Sequence, residues 1–157
     1  MKTCTIELPL GHATISGDAH GISSVSIGDT CQKLSEIIPK DLLDCVTQLK
    51  AYFREEQRHF DLKLNSLGTN FQKKVWRHLQ QIPFGKTCSY LDISKQLGDP
   101  KAIRAVANAN GKNPLWIIVP CHRVIGSNGS LTGYAGGLHR KQWLINHERQ
   151  NKQQMLF

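Results

Sequence analysis

Past residue 65 this sequence has almost no acid: Asp92, Asp99 and Glu148 are its only carboxylate side chains there. Thirteen Lys and Arg residues accompany them, a balance of +10, while residues 1–65 hold seven basic against nine acidic residues, a balance of −2. Such an asymmetry points to a polyanionic partner for the C-terminal part, nucleic acid before a membrane surface; a solvated basic face would read the same way. No apolar run reaches the roughly 18 to 20 residues that span a bilayer, so no membrane partner is expected. The opening "MKTCTIELPLGHAT" lacks the long apolar core and cleavage site of a secretory signal, and the expected location is the cytoplasm. The five cysteines, Cys4, Cys31, Cys45, Cys88 and Cys121, are odd in number, with no CxxC pair and no zinc-type Cys/His cluster. That pattern argues against a disulfide framework and against a structural metal. With 157 residues, 39% hydrophobic and 20% charged, the chain suits one ordinary domain or two small ones.

The pattern along the chain favours two. "CTIELPL", "HATISG" and "GISSVSI" alternate between Gly-containing turns and predict antiparallel strands. "DLLDCVTQLKAYFREE" puts Leu42, Leu43, Val46, Leu49, Tyr52 and Phe53 on one helical face. "HFDLKLN" predicts a further strand. Residues 1–65 thus read as a small mixed α/β support domain, and "NSLGTN" as the linker to residues 66–157. There Thr69 and Gln72 form a capping box ahead of a helix whose stripe is Phe71, Val75, Trp76 and Leu79. Ser89 and Asp92 open a second helix with Tyr90, Ile93 and Leu97 inward, Gly98-Asp99-Pro100 turns, and "KAIRAVANA" forms a third. Helix, Gly-containing turn, helix is the helix-turn-helix pattern, weakly specific by itself. In the third helix four alanines, Ala102, Ala105, Ala107 and Ala109, surround one long cation, Arg104. Such a helix can approach a groove closely or simply pack on a neighbour. "GLHRKQWLINHE" predicts a last helix with Leu138, Trp143, Leu144 and His147 as its apolar side, and the polar tail "RQNKQQMLF" is expected to be less ordered. The expected class is α+β: a sheet domain followed by a mostly helical DNA-binding domain.

"IIVPCHRVIGSNG", residues 117–129, carries the chemistry. Its apolar run predicts a strand delivering Cys121 to a pocket. A thiol attacks as the thiolate and needs a base or a cation beside it. His122 is adjacent, but neighbours on a strand point to opposite sides, so a bridging water is the more natural proton path. Glu148 is the only carboxylate past Asp99, and it orients the imidazole only if the last helix packs behind the strand. The residue types alone also permit a buried structural cysteine, a surface histidine and a solvated glutamate.

"RAVANANGKNPLWIIVPCHRVIGSNGSLTGYAGGLHRKQWLINHE" closely resembles the signature region of the 6-O-alkylguanine-DNA alkyltransferases, also called methylated-DNA–protein-cysteine methyltransferases. The likeness runs over residues 69–148, through Asn-Pro, Pro-Cys-His-Arg-Val, Gly-Tyr-Ala-Gly-Gly and the final His-Glu; residues 1–65 match the family's support domain only loosely. The resemblance implies that Cys121 accepts the alkyl group, that His122 takes its proton through a water, and that Glu148 orients the imidazole. It implies that Asn113 links the DNA-reading helix to the active-site strand and that Tyr90 donates toward a ring nitrogen of an extruded guanine. Arg104 would fill the vacated stack, and Tyr134, Ala135 and Gly136 would cover the base, whose exocyclic amine meets the carbonyls of Cys121 and Val124. Lys101, Ala105 and Arg123 complete the expected DNA-contacting set.

No cofactor is expected. Some members hold zinc in the N-terminal domain, but Asp18 and Ser23 stand where ligands beside Cys4 would fall, so no metal is expected. Ala107 and Arg149 stand where the family often has Gly. The implied function is irreversible, stoichiometric alkyl transfer from 6-O-alkylguanine, and from 4-O-alkylthymine, in duplex DNA by a monomer. Three other classes compete. An alkyltransferase-like damage sensor would lack the acceptor cysteine, and a helix-turn-helix regulator, usually dimeric, would need neither Cys121 nor the His-Glu pair. A Cys-His hydrolase would need an oxyanion hole that nothing here supplies.

Overall fold

The structure, a computed structural model, describes residues 1–29, 33–131, 134 and 136–154, with side chains to residue 150. It is α+β and divides into two compact units, one of residues 1–67 with Pro114–Trp116, the other of residues 68–113 and 117–157. Among the described residues no helix is long and apolar enough to cross a membrane.

In the first unit β1 (Lys2–Leu8), β2 (Gly11–Asp18) and β3 (Gly21–Gly28) form an antiparallel sheet in sequence order. Cys4, Ile6, Leu8, Ala13, Ile15 and Val25 are buried on it, as the alternation requires. A bulge falls at Ser16/Gly17, where a Cβ on Gly17 would lie 2.7 Å from the Gly21 carbonyl oxygen; only glycine fits that approach. Helix α1 (Lys40–Phe53) buries Leu42, Cys45, Val46, Leu49 and Tyr52. Leu43, about 100° round the helix from Leu42, is 50% exposed, so the expected face is one residue narrower.

The expected strand over 59–65 does not form. Ile22 donates to the Lys63 carbonyl and Asn65 to that of Ile22, each at 2.8 Å, which makes one isolated bridge, Ile22 to Leu64. Farther along β3 the edge is occupied by Leu115, with Val25 N–H bonded to Pro114 O at 2.8 Å and Trp116 N–H to Val25 O at 3.1 Å. Two short segments share one edge, leaving neither length for a ladder.

The second unit opens with α2 (Asn70–Leu79), capped by Thr69 and Gln72 in the reciprocal pair expected. Val75, Trp76 and Leu79 are buried, whereas Phe71 in the first turn is 38% exposed. β4 (Cys88–Ser89) leads into α3 (Tyr90–Gln96), with the Ser89/Asp92 capping box in place. Gly98 at φ +85° makes the turn, Asp99 caps a short 3-10 turn over Pro100–Ala102, and this runs into α4 (Ile103–Gly111). α4 packs on both α2 and α3. β5 (Val124–Ile125) pairs in parallel with β4, and α5 (Leu138–Gln154) closes the unit. The helix therefore continues through much of the polar tail, which is expected from the sequence to be less ordered.

Candidate active site

Cys121 does not ride on a strand. Residues 117–119 turn, Ile117 sits at φ +68°, and Cys121–Arg123 form a single 3-10 turn before β5 begins. Ile117, Ile118 and Val119 are buried, so their apolar character answers to packing and not to a ladder. Pro120 has no N–H to give to a sheet. The bend is fixed from the side: the Asn113 amide donates to the Val119 carbonyl at 2.8 Å, and Cys121 N–H to the same carbonyl at 2.8 Å. A β-branched residue at positive φ costs on the order of 1–3 kcal/mol, which the packed surroundings must offset. With about three residues per turn, the three side chains of a 3-10 helix leave in three directions. Thiol, imidazole and guanidinium are thereby distributed around one short axis.

Two of those directions meet at Glu148. Its Oε2 accepts from His122 Nε2 at 2.7 Å and from Arg123 Nη2 at 3.0 Å, and its Oε1 from Arg123 Nε at 2.8 Å. Arg123 Nη1 donates to the Ile82 carbonyl at 2.7 Å. His122 is 0% and Glu148 2% exposed. Burial works to raise the Glu148 pKa, but the imidazole and the two-pronged guanidinium outweigh it and hold the carboxyl well below the usual range. Burial lowers the His122 pKa, against the pull of Glu148, and the net direction is down. The ring is thus a neutral imidazole with Nε2–H toward the carboxylate. That leaves Nδ1 as the acceptor, and it is buried with no hydrogen-bond partner among the described residues.

This arrangement corrects one expectation. The resemblance puts Arg123 at DNA; its guanidinium is instead buried, joined to both Glu148 oxygens and to Ile82. It belongs to the interior of the site.

The Cys121 thiol is also buried, which raises its pKa; the Asn113 side chain, the charge of Lys141 and the Tyr134 hydroxyl act in the opposite sense. Its carbonyl accepts from the Asn110 amide at 3.4 Å. Lys141 lies opposite on α5, 0% exposed. Its Nζ is 3.5 Å from the Tyr90 hydroxyl, 5.7 Å from the centre of the Tyr90 ring and 5.9 Å from that of Tyr134. Burial pushes its pKa down to about 8, resisted by the sulfur of Cys121.

Sequence reasoning misses Lys141 because it seeks the apolar side of α5. Leu144 is buried as expected, but Leu138 and Trp143 are 49% and 36% exposed. The buried face is Arg140, Lys141, Leu144, Ile145, His147 and Glu148, and Trp143 lies roughly 200° from Lys141. The spacing 141, 144, 148, taken from Glu148 backwards, marks that face.

The exposed part of the helix pair carries Lys101, Arg104 and Ala105, all open to solvent, beside Asn108. α4 is tied to the core by Trp76, whose indole N–H donates to the Ala109 carbonyl at 2.8 Å. It is tied to the cysteine turn by Asn110. Neither Trp76 nor Asn110 stands out as a site residue in the sequence, although a buried indole requires an acceptor. Tyr90 and Tyr134 are buried at the site, and the Gly136 carbonyl accepts from Arg140 at 2.8 Å. Ala135 lies outside the described residues.

Fold and site together have the form of a cysteine-nucleophile protein: a buried thiol, a neutral imidazole and an ionised carboxylate, in a unit that also exposes Lys101 and Arg104. Residues 70–150 match the family described as 6-O-methylguanine DNA methyltransferase, DNA binding domain. The methylated-DNA–protein-cysteine methyltransferase of Mycolicibacterium paratuberculosis is 45% identical over 151 residues, covering 94% of this chain and 92% of the relative. That of Methanosarcina acetivorans is 45% identical over 155 residues, covering 94% and 98%. Among solved structures, Mycobacterium tuberculosis OGT in complex with DNA superposes with a TM-score of 0.84 at 43% identity, over 94% of this chain and 92% of that one. The chain belongs to the methylated-DNA–protein-cysteine methyltransferase family.

Proposed function

We propose that this protein repairs DNA by extruding a 6-O-alkylguanine from the duplex and transferring its alkyl group to Cys121, once per molecule. The observation that carries this reading is the buried Cys121 turn with His122 Nε2 held on Glu148 at 2.7 Å and Nδ1 open to receive a proton. Because burial keeps the thiol protonated at rest, attack begins with proton loss, to Nδ1 of His122 through one bridging water. The sulfur then displaces the purine oxygen at the alkyl carbon: a carbon–sulfur bond forms, the carbon–oxygen bond breaks, and its electron pair goes to the base. Tyr90 donates toward a ring nitrogen as that charge develops. The product is a thioether with no carbonyl for water to attack, so the protein is consumed.

A lesion inside a duplex is out of reach of a buried thiol, so the nucleotide must be flipped at a cost of a few kcal/mol. Arg104, exposed on α4, holds the vacated stack. Lys101 and the small Ala105 let that helix sit close to the groove, and the basic balance of +10 past residue 65 supplies phosphate contacts. Tyr134, Ala135 and Gly136 close over the base. The same displacement serves 4-O-alkylthymine, and a monomer carries every group the reaction uses.

Intact-protein mass after mixing with a duplex containing one 6-O-methylguanine tests the reading. The expected result is a gain of one methyl group, on Cys121, stopping at one equivalent. Tight lesion binding with no mass gain would instead make the protein a damage sensor.

A further inference from the structure

We infer that Asn110 is a specificity-determining residue of this reaction: its side-chain oxygen accepts a hydrogen bond from the 2-amino group of the extruded guanine and so favours alkylated guanine over alkylated thymine. The inference rests on the alkyl-transfer reading of Cys121.

Asparagine suits the packed side of a helix poorly, because a buried amide must find partners for both of its ends. α4 turns Val106, Ala109 and Asn110 inward, and Asn110 is 1% exposed. One end of its amide is settled. The nitrogen donates to the Cys121 carbonyl at 3.4 Å, and because a carbonyl can only accept, the nitrogen and not the oxygen belongs on that side. The other end, Oδ1, is buried with no hydrogen-bond partner among the described residues. Buried polar atoms in folded proteins are nearly always paired. An orphan acceptor on an amide that touches the nucleophile's own carbonyl marks a place for a donor carried by the substrate.

The chemistry of the two lesions says which donor that is. On the alkyl-transfer reading the base is held against the Cys121 turn, within reach of an amide bonded to the Cys121 carbonyl. Alkylation at the 6-oxygen of guanine removes the proton from N1 and leaves the 2-amino group as the only N–H donor of the ring. That amine has two hydrogens, enough for Asn110 Oδ1 and for one backbone carbonyl. Alkylation at the 4-oxygen of thymine removes the proton from N3, and no N–H remains. The guanine lesion therefore satisfies Oδ1, and the thymine lesion leaves it alone. Sites that hydrogen-bond a substrate group reject analogues lacking it, because the buried group of the site is then left unpaired.

The test is single-turnover methyl transfer from three duplexes. They carry 6-O-methylguanine, 6-O-methylhypoxanthine, which differs only in lacking the 2-amine, or 4-O-methylthymine. Wild type is compared with Asn110→Leu, close in size but without an acceptor. Differences in flipping cost between the duplexes are common to both proteins and cancel in that comparison. Wild type is expected to react with the guanine lesion on the order of 10- to 100-fold faster than with the hypoxanthine lesion. In Asn110→Leu the guanine rate falls, the two purine rates come within about 3-fold of each other, and the thymine lesion gains on the guanine lesion. A merely structural role would slow all three alike. Equal wild-type rates on the two purine lesions would overturn the inference, as would a wild-type ratio preserved in Asn110→Leu. Should Asn110→Leu not fold, Asn110→Ala carries the same comparison. Failure of the function reading is distinct: the wild type takes no methyl group from any of the three duplexes.

Discussion

The His122 imidazole and the Glu148 carboxylate meet at 2.7 Å, and the same carboxylate takes two bonds from Arg123 in the interior of the second unit. Glu148 therefore balances one buried cation and orients one neutral ring. Replacing it with glutamine leaves the guanidinium against an amide. Breaking a buried pair from one side costs roughly 3–5 kcal/mol, and the freed imidazole loses its fixed tautomer. Glu148→Gln should lower the urea midpoint accordingly and slow methyl transfer on the order of 100-fold. An unchanged midpoint would show that Arg123 has another way to hold its charge.

The same pair makes the protein acid-labile. Glu148 titrates lower in the fold than unfolded, so its contribution is complete above the ordinary glutamate range, about pH 4.3, and is lost as pH falls toward the folded value. His122 also titrates lower in the fold. The unfolded chain takes that proton near pH 6.5 while the native one refuses it, so stability falls as pH drops below about 6.5. Both groups act in one direction. Urea midpoints should hold from pH 8 to 7 and decline from about pH 6.5 downward. His122→Gln should remove the upper part of that decline only; a decline that keeps its upper part in the variant would assign it to another group.

Arg104 offers a contrast, because it is exposed on α4 and belongs to none of the contacts set out around the thiol. Arg104→Ala should leave stability within about 0.5 kcal/mol. On the proposed mechanism, in which Arg104 fills the gap left by the flipped nucleotide, methyl transfer from duplex DNA should fall by one to two orders of magnitude. Reaction with 6-O-methylguanine supplied as the free base should not change. Equal loss on free base and duplex would remove Arg104 from extrusion and assign it to the pocket.

Several of these relationships are legible in the sequence, for definite reasons. The capping boxes at Thr69 and Ser89 can be read because they depend on side chains three residues apart. The His122–Glu148 pair is what the resemblance implies; that Glu148 is the only carboxylate past Asp99 names a candidate without bringing the last helix to the imidazole. The strand expected before Cys121 is absent from the fold. An apolar run of four reports burial, and burial does not separate a strand from a packed turn. Lys141 and Arg123 escape for a related reason: charge predicts exposure until a partner is found, and their partners lie 51 and 25 positions away. Local pattern carries no information at that range.

Lys141 should weaken the fold that contains it. Burial moves its pKa from 10.5 to about 8, and one unit corresponds to about 1.4 kcal/mol. Below pH 8 both states hold the proton, and the native state bears the whole cost of a desolvated ammonium. Between pH 8 and about 10.4 the native state releases a proton that the unfolded chain still binds, so the cost fades and stability rises. Lys141→Met, similar in length and apolar, removes that cost. It should raise the urea midpoint at pH 7 by the equivalent of roughly 1–3 kcal/mol and abolish the gain between pH 8 and 10. A less stable variant with the alkaline gain intact would mean that Lys141 serves packing and that its charge carries no desolvation cost.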